Sequence, residues 1–328
     1  MLRVLDIIAP MTGYDLKAYG YIKENLEFLF SDALDIPNIS IERTLGGMSN
    51  INMLAHCEPE RLVLRIPTLL MEYPSTHYAQ EFLVLYEAAR NGLSPRPMTY
   101  GTLPNKNQTP FLVYYYEPGV VHSSLSSIGI DEFRRLEISL DQLQSLEVSG
   151  VPVYSFAVEY LNYLYSRVDL ILSDSGLHSE RMKRARVTID EFYSSLETIL
   201  EGVSLSTGAM HGDLRPSNAI FQEDRVLLLD WSEFCRGFTN YDIAYLLSEP
   251  IEPFSSDILV SFSSRDPTQM LRLRGLALFS CISWTLERLI RCEIGQVPSI
   301  LNSDDLVESM ESYNRMQIDE LIQVLNQF

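Results

Sequence analysis

The sequence predicts an α/β fold with two lobes, a small antiparallel sheet followed by a mainly helical part. Three observations lead to this prediction. The 328 residues are more than one small core needs. Short runs of alternating apolar and polar residues fill residues 40–66, and apolar residues recur at spacings of three and four beyond residue 130. We predict the lobes at residues 1–117 and 118–328.

The first lobe is predicted to begin with a helix and three strands. Apolar residues on one side of residues 15–34 predict the helix. Alternating runs predict strands at residues 40–45, 51–56 and 62–66. The turn between the first two strands contains Gly46, Gly47, Ser49 and Asn50. Glycines in such a turn let backbone amides approach a phosphate, although an ordinary hairpin turn is the alternative for this segment taken alone.

The remaining elements follow from the same patterns. A helix at residues 75–91 ends before Gly92, a residue that favours a helix C-terminus. An apolar strand at residues 111–116 then ends before Pro118. Further helices are predicted at residues 131–146, 154–172, 179–200, 241–247, 268–292 and 304–325.

Composition restricts the class of protein. The net charge of −19 argues against a nucleic-acid partner, because phosphate backbones require a basic surface. No apolar run reaches the ~18–20 residues of a membrane span. The four cysteines lack the spacing of a zinc site. We therefore expect a cytoplasmic protein with reduced thiols that binds neither nucleic acid nor membranes.

The residues with the clearest chemistry form one loop of the second lobe. His-Gly-Asp-Leu-Arg-Pro-Ser-Asn occupies residues 211–218, and a predicted hairpin at residues 219–229 brings Asp230 back towards Asn218. An amide oxygen and a carboxylate at one point suit Mg²⁺, which takes its other ligands from water and phosphates. Asp213, just upstream, can accept a hydroxyl proton or orient a nucleophile.

This loop resembles that of the aminoglycoside phosphotransferase and choline kinase family, whose fold is protein kinase-like. The family pattern is His-Gly-Asp-x-x-Pro-x-Asn, followed by Asp-Trp-Glu and, after a Gly, by Asp-Leu-Ala. This chain matches the pattern through Asp230 and Asp242 but has Ser232 where the family usually has Glu. The resemblance covers residues 40–250 and is strongest at residues 211–244.

The resemblance implies a kinase that transfers the γ-phosphate of ATP, with Mg²⁺, to a hydroxyl of a small molecule. Asp213 would be the catalytic base, and Arg215 would contact the transferred phosphate. Asn218 and Asp230 would be the magnesium ligands.

The resemblance also implies a nucleotide-binding set in the first lobe, formed by Gly46, Gly47, Ser49, Asn50, Arg65, Glu81, Tyr115 and Glu117. The glycine turn and Arg65 would bind the phosphates, since a guanidinium can hold two phosphate oxygens. Glu81 would orient Arg65, with Glu87 as the alternative. The strand end at Tyr115 and Glu117 would offer backbone groups to the adenine.

The acceptor stays open between aminoglycoside-, choline- and sugar-like molecules. Most of the negative charge falls in the larger lobe, which favours a cationic or neutral acceptor, although acidity that only maintains solubility is the alternative. Candidate acceptor residues near the C-terminus are Trp284, Glu287, Glu311 and Tyr313. The alternative function, suggested by Arg65 and Ser232, is a catalytically idle kinase-like module that binds a nucleotide or a protein.

Overall fold

The computed structural model of the protein describes residues 20–46, 50–67, 75–104, 109–175, 179–248, 265–295 and 304–328. It confirms an α/β fold in which an antiparallel sheet is followed by a mostly helical remainder. The part of the predicted first helix before residue 20 lies outside the described residues, as do Gly47 and Ser49 of the predicted phosphate-binding turn.

The first lobe is a five-stranded antiparallel sheet with a helix on each face. Its strands, in the spatial order β1-β2-β3-β5-β4, are β1 Ser40–Gly46, β2 Asn50–Cys57, β3 Glu60–Pro67, β4 Pro97–Thr102 and β5 Pro110–Tyr115. Helix α1 (Gly20–Leu34) packs on one face, where the ring of Phe30 lies 5.4 Å from that of Phe111. Helix α2 (Ser75–Arg90) packs on the other.

The second lobe consists mainly of helices around one long central helix. These are α3 Ile130–Gln144, α4 Ala157–Ser175, α5 Glu180–Leu200, α6 Tyr241–Leu246, α7 Pro267–Glu293 and α8 Asp304–Leu325. Helix α7 packs against α4, α5, α6 and α8, and the largest apolar core of the described chain surrounds it. None of the described helices has both the length and the apolar character needed to cross a membrane.

Two short antiparallel pairs frame the loop at residues 211–218. Strand β6 (Thr207–Met210) pairs with β9 (Cys235–Phe238), and β7 (Ala219–Phe221) pairs with β8 (Val226–Leu228). The second pair is the predicted hairpin.

Helix boundaries agree with the predicted ones to within a few residues. The largest difference is at α4, which begins at Ala157 rather than at residue 154. There the carboxylate of Glu159 accepts hydrogen bonds from the amides of Ser155 and Phe156, at 2.8 and 3.1 Å. These amides precede the helix, so the side chain caps its N-terminus.

Candidate active site

The loop at residues 211–218, which we call the candidate catalytic loop, is held from behind by helix α6. The carboxylate of Asp242 accepts hydrogen bonds from the backbone amides of His211 and Gly212, each at 2.9 Å. Gly212 has φ of +85°, and a Cβ there would lie 2.4 Å from the carbonyl oxygen of Glu233. Burial raises the pKa of Asp242, although His211 and the two amides oppose the shift. Asp242 therefore braces the loop.

Asp213 lies in the loop with its Oδ1 held by two neighbours. The hydroxyl of Tyr245 donates to Oδ1 at 2.7 Å, and Nε of Arg215 donates to the same oxygen at 3.1 Å. Arg215 also donates to the Tyr245 hydroxyl at 3.1 Å. The Asp213 side chain is still 29% exposed, so a substrate can reach it. Tyr245 was not among the predicted residues, because its spacing within α6 is that of a core side chain.

Asn218 is fixed by the turn that precedes the hairpin. Its Nδ2 donates to the carbonyl oxygen of Asp213 at 2.9 Å and lies 3.3 Å from Asp213 Oδ2. The backbone amide of Leu229 donates to the Asn218 carbonyl at 2.8 Å, which brings the far end of the hairpin beside the loop. Since the amide nitrogen is used within the loop, the side-chain oxygen is the atom of Asn218 suited to a cation.

Arg65 connects the sheet to the segment that follows the hairpin. It is only 2% exposed. Its Nη1 donates to Glu81 at 2.6 Å and its Nη2 donates to Asp230 at 2.6 Å. Glu87, the alternative partner, instead pairs with Arg90 at the surface at 3.3 Å. The structure therefore selects Glu81 over Glu87 as the carboxylate that orients Arg65.

The two carboxylates beside Arg65 differ in their electrostatic state. Burial raises the pKa of Asp230, but Arg65 and a hydrogen bond from Ser232 at 3.0 Å outweigh it and hold the pKa below its usual value. Burial raises the pKa of Glu81 to about 7, although Arg65 opposes the shift. Glu81 also accepts from the backbone amide of Trp231 at 3.2 Å.

Asn50, at the start of β2, also faces Arg65. Turning its amide so that the oxygen faces Arg65 lets this oxygen accept from Nε at 3.1 Å, while the amide nitrogen donates to the Tyr78 hydroxyl at 2.7 Å. Gly46, the last residue of β1, precedes Asn50 by only a few positions in the sequence. Tyr78 was not predicted, because in the sequence it reads as one more apolar position of α2.

Tyr115 and Glu117 lie where the sheet ends. The backbone amide of Tyr115 donates to the carbonyl of Arg96 at 2.9 Å, and the Arg96 guanidinium lies 3.8 Å from the centre of the Tyr115 ring. Gln222, from the hairpin loop, donates to the Glu117 carboxylate at 3.5 Å. These contacts place both residues at the junction between the sheet and the hairpin.

A wall of paired charges lies on the helical side of the loop. Arg167 of α4 donates to Glu233 at 3.0 Å and to Glu287 of α7 at 3.2 Å. Trp284 lies one helical turn before Glu287, and the guanidinium of Arg215 lies 5.7 Å from its ring centre. Glu311, another candidate, instead pairs with Arg181 at 2.6 Å. Trp284 is therefore one candidate that the structure brings to the loop.

Parts of this chain are similar in sequence to known proteins. A model described as "Phosphotransferase enzyme family" matches residues 40–270. Protein LicA of Haemophilus influenzae is 27% identical over 217 residues, which are 63% of this chain and 57% of LicA. Acyl-CoA dehydrogenase family member 10 of Mus musculus is 24% identical over 241 residues, 68% of this chain but 22% of the mouse protein. The chain thus spans only part of each of these relatives.

Solved structures share the whole fold. Choline kinase LicA from Streptococcus pneumoniae superposes with a TM-score of 0.64 and 17% identity, over 94% of this chain and 100% of that chain. A structure of LicA in complex with AMP has the same TM-score and identity, over 93% and 98%. An aminoglycoside phosphotransferase in complex with AMP-PNP and hygromycin B has a TM-score of 0.59 and 12% identity, over 88% and 98%.

The region that matches the family contains residues that are far apart in sequence and adjacent in space. The family match includes the catalytic loop, the hairpin and the Arg65–Glu81 pair, and the structural neighbours have the same protein kinase-like architecture. The chain belongs to the phosphotransferase enzyme family.

Proposed function

We propose that the protein is an ATP- and Mg²⁺-dependent kinase that phosphorylates a hydroxyl of a small molecule. One observation carries the proposal most directly. The hydrogen bond from Arg65 to Asp230 joins residues 165 positions apart, and it places a buried cation from the sheet beside the segment that follows the catalytic loop. A site that must bind polyphosphate next to a general base needs this arrangement.

The nucleotide would lie between the sheet and the loop. Arg65 carries a permanent positive charge for the phosphates, and Glu81 and Asn50 fix its orientation. Because the backbone amide of Tyr115 is already bonded to Arg96, we assign the adenine contact to Glu117 and the residues just beyond it. The AMP and AMP-PNP complexes of the structural neighbours support the use of a nucleotide.

Asp213 would orient the acceptor hydroxyl and take its proton. Tyr245 and Arg215 fix one of its oxygens, so the carboxylate need not reorganise when the acceptor arrives. Arg215 would offset the charge that develops on the transferred phosphoryl group. Positioning and preorganised charge supply most of the rate in such transfers.

The side chains of Asn218 and Asp230 have the donor atoms that suit a magnesium ion. Both can offer oxygen, the donor type that Mg²⁺ takes, and phosphates and water would complete its shell. Within the described residues no cluster of three or more His, Cys, Asp or Glu side chains could hold a metal by itself, which agrees with an ion that arrives with the nucleotide. When bound, it would neutralise phosphate charge.

The idle-module alternative is weaker on structural grounds. Ser232, the departure from the family pattern, donates to Asp230 and thereby supports it. Arg65 retains its partner Glu81, so neither departure disrupts the site.

The four cysteines are free and buried, which fits the cytoplasm, where thiols stay reduced and ATP is available.

A turnover assay with Mg-ATP tests the proposal. Across hydroxylated acceptors, we expect Asp213→Asn to lower kcat by about 10²–10⁴-fold, the usual contribution of a positioned base, while nucleotide binding persists. Asp224→Asn, which changes a turn carboxylate of the hairpin, is the matched control and should retain wild-type turnover. The proposal is wrong if no acceptor is phosphorylated by the wild type, or if Asp213→Asn keeps full turnover on its best acceptor.

A further inference from the structure

Helix α6 contacts three consecutive residues of the candidate catalytic loop. The carboxylate of Asp242 accepts from the amides of His211 and Gly212. The hydroxyl of Tyr245 donates to the side chain of the next residue, Asp213. Asp242 and Tyr245 are three residues apart, so they lie on one side of the helix. Every residue of α6 is buried, and the helix packs against α7. Tyr245 therefore reaches the loop from a rigid part of the fold.

Tyr245, Asp213 and Arg215 are joined in a ring of three hydrogen bonds. The Tyr245 hydroxyl donates to Asp213 Oδ1 at 2.7 Å, and Nε of Arg215 donates to the same oxygen at 3.1 Å. Nη2 of Arg215 closes the ring by donating to the Tyr245 hydroxyl at 3.1 Å. Burial raises the pKa of Tyr245 well above its ordinary value, although Arg215 opposes the shift. The hydroxyl therefore stays protonated, and it donates to Asp213 while it accepts from Arg215.

The ring makes the two oxygens of Asp213 unequal. Oδ1 accepts two hydrogen bonds, which occupy both of its lone pairs. Among the described residues, Oδ2 accepts one long bond, from Nδ2 of Asn218 at 3.3 Å. A hydroxyl that approaches Asp213 needs a lone pair of the carboxylate, so Oδ2 is the oxygen that can receive it.

A similar pair of donors holds the second carboxylate of the site. Oδ1 of Asp230 accepts from Nη2 of Arg65 at 2.6 Å and from the hydroxyl of Ser232 at 3.0 Å. At Asp213 and at Asp230, a guanidinium and a hydroxyl thus bind the same oxygen. The recurrence indicates that each carboxylate is oriented through one oxygen so that the other oxygen can act.

We propose that Tyr245 is a positioning residue of the kinase reaction, and that its hydroxyl orients Asp213 so that Oδ2 takes the proton of the acceptor. In the transfer, the proton of the acceptor hydroxyl moves to Oδ2, and the hydroxyl oxygen bonds to the γ-phosphorus of ATP. The bond from that phosphorus to the β–γ bridging oxygen breaks, and its electron pair leaves with ADP. This inference rests on the proposed function, because it assigns the atoms of the same base.

Tyr245→Phe tests the inference because it removes the hydroxyl and keeps the ring. Turnover is measured with Mg-ATP and with choline, hygromycin B, glucose or water as the acceptor, the last as slow hydrolysis of ATP. On the best of these acceptors, we expect kcat to fall about 10–100-fold, the value of one hydrogen bond to a charged group. The acceptor KM and the dissociation constant of Mg-AMP-PNP should stay unchanged, since Tyr245 acts on the transfer and not on binding.

Tyr241→Phe is the matched control. It removes a hydroxyl from the same buried helix, but this hydroxyl accepts from that of Tyr160 at 3.3 Å and makes no printed contact with Asp213. We expect Tyr241→Phe to keep the wild-type kcat. Urea unfolding of both variants shows what each lost hydroxyl contributes to stability, so that a fall in kcat can be compared at equal stability.

A double-mutant cycle with Asp213→Asn shows whether Tyr245 acts through Asp213. If it does, adding Tyr245→Phe to Asp213→Asn should not lower kcat further. The inference is overturned by a wild-type kcat in Tyr245→Phe, by an equal fold-loss in both backgrounds, or by a loss of Mg-AMP-PNP binding that accounts for the fall. Each of these results leaves the kinase function standing. Failure of that function would show as no turnover by the wild type, hydrolysis included.

Discussion

Arg65 is the side chain on which most of the site depends. Its partners Glu81 and Asp230 are 16 and 165 residues away in sequence. The sequence predicted Arg65 as a phosphate-binding cation, from its position in a strand, and it offered two candidate glutamates. It could not predict the bond to Asp230, because only the fold determines which distant carboxylate meets a buried guanidinium. Tyr78 and Tyr245 were missed because each stands in the sequence at an apolar position of its helix.

Glu81 should make the stability of the protein depend on pH. Its pKa is raised to about 7 in the folded protein, from an ordinary value of 4.5. The unfolded chain therefore releases this proton at lower pH than the folded protein. The stability contributed by protonated Glu81 is present below pH 4.5 and is lost as the pH rises through about 7. Glu81→Gln removes the titrating group but can still accept from Arg65.

Urea unfolding at several pH values between 5 and 8 measures this effect. We expect the free energy of unfolding of the wild type to fall relative to that of Glu81→Gln as the pH rises, with a total difference on the order of 3 kcal/mol. Glu87→Gln, on the same helix but in a surface pair with Arg90, is the matched control. Parallel pH profiles for the wild type and Glu81→Gln would contradict the prediction.

The catalytic loop and α6 form one braced unit. The sequence predicted the loop and the hairpin β7–β8, because both are local and follow from motif spacing. It missed β4, a short strand at the sheet edge that begins with a proline, and the pairing of β6 with β9. That pairing joins Thr207 to Phe238, and nothing local in either segment specifies so distant a partner.

Gly212 is the residue of this unit that tolerates no side chain. A Cβ would lie 2.4 Å from the Glu233 carbonyl, and φ is +85°. Gly212→Ala should therefore displace the loop and lower kcat by about 10²-fold or more, since small displacements of positioned groups have such effects. Gly150→Ala has a similar positive φ of +79° but nothing within 4 Å, so it should keep wild-type turnover. Equal kinetics for the two variants would show that close packing at Gly212 is unimportant.

The protein as a whole carries a net charge of −19, yet charges near the loop are largely paired. Glu233 and Glu287 share Arg167, and Asp213 is bonded to Arg215. The sequence predicted a cationic or neutral acceptor from the total charge of the lobe. It could not show this pairing, because composition does not reveal which charges face each other.

Ionic strength distinguishes the two kinds of acceptor. For a neutral acceptor, we expect kcat/KM to change little between low and physiological salt, because no long-range field acts on it. For a cationic acceptor kcat/KM should fall, since salt limits the reach of the field to about 8–10 Å. Initial rates at subsaturating acceptor, with Mg-ATP saturating, measure this. A steep fall of kcat/KM with rising salt for the best neutral acceptor would contradict the prediction. The same rates measured at increasing viscosity show whether diffusion of the acceptor limits kcat/KM.

The sheet and the helical part are joined by more than the chain that connects them. The bonds from Glu81 to Trp231 and from Arg65 to Asp230 join them, and the amide of Leu228 donates to the carbonyl of Leu93 at 2.7 Å. One apolar core also includes residues of both parts. Loss of the bond from Arg65 to Asp230 would therefore leave the two parts attached, so this bond sets the position of the Asp230 carboxylate and does not hold the molecule together.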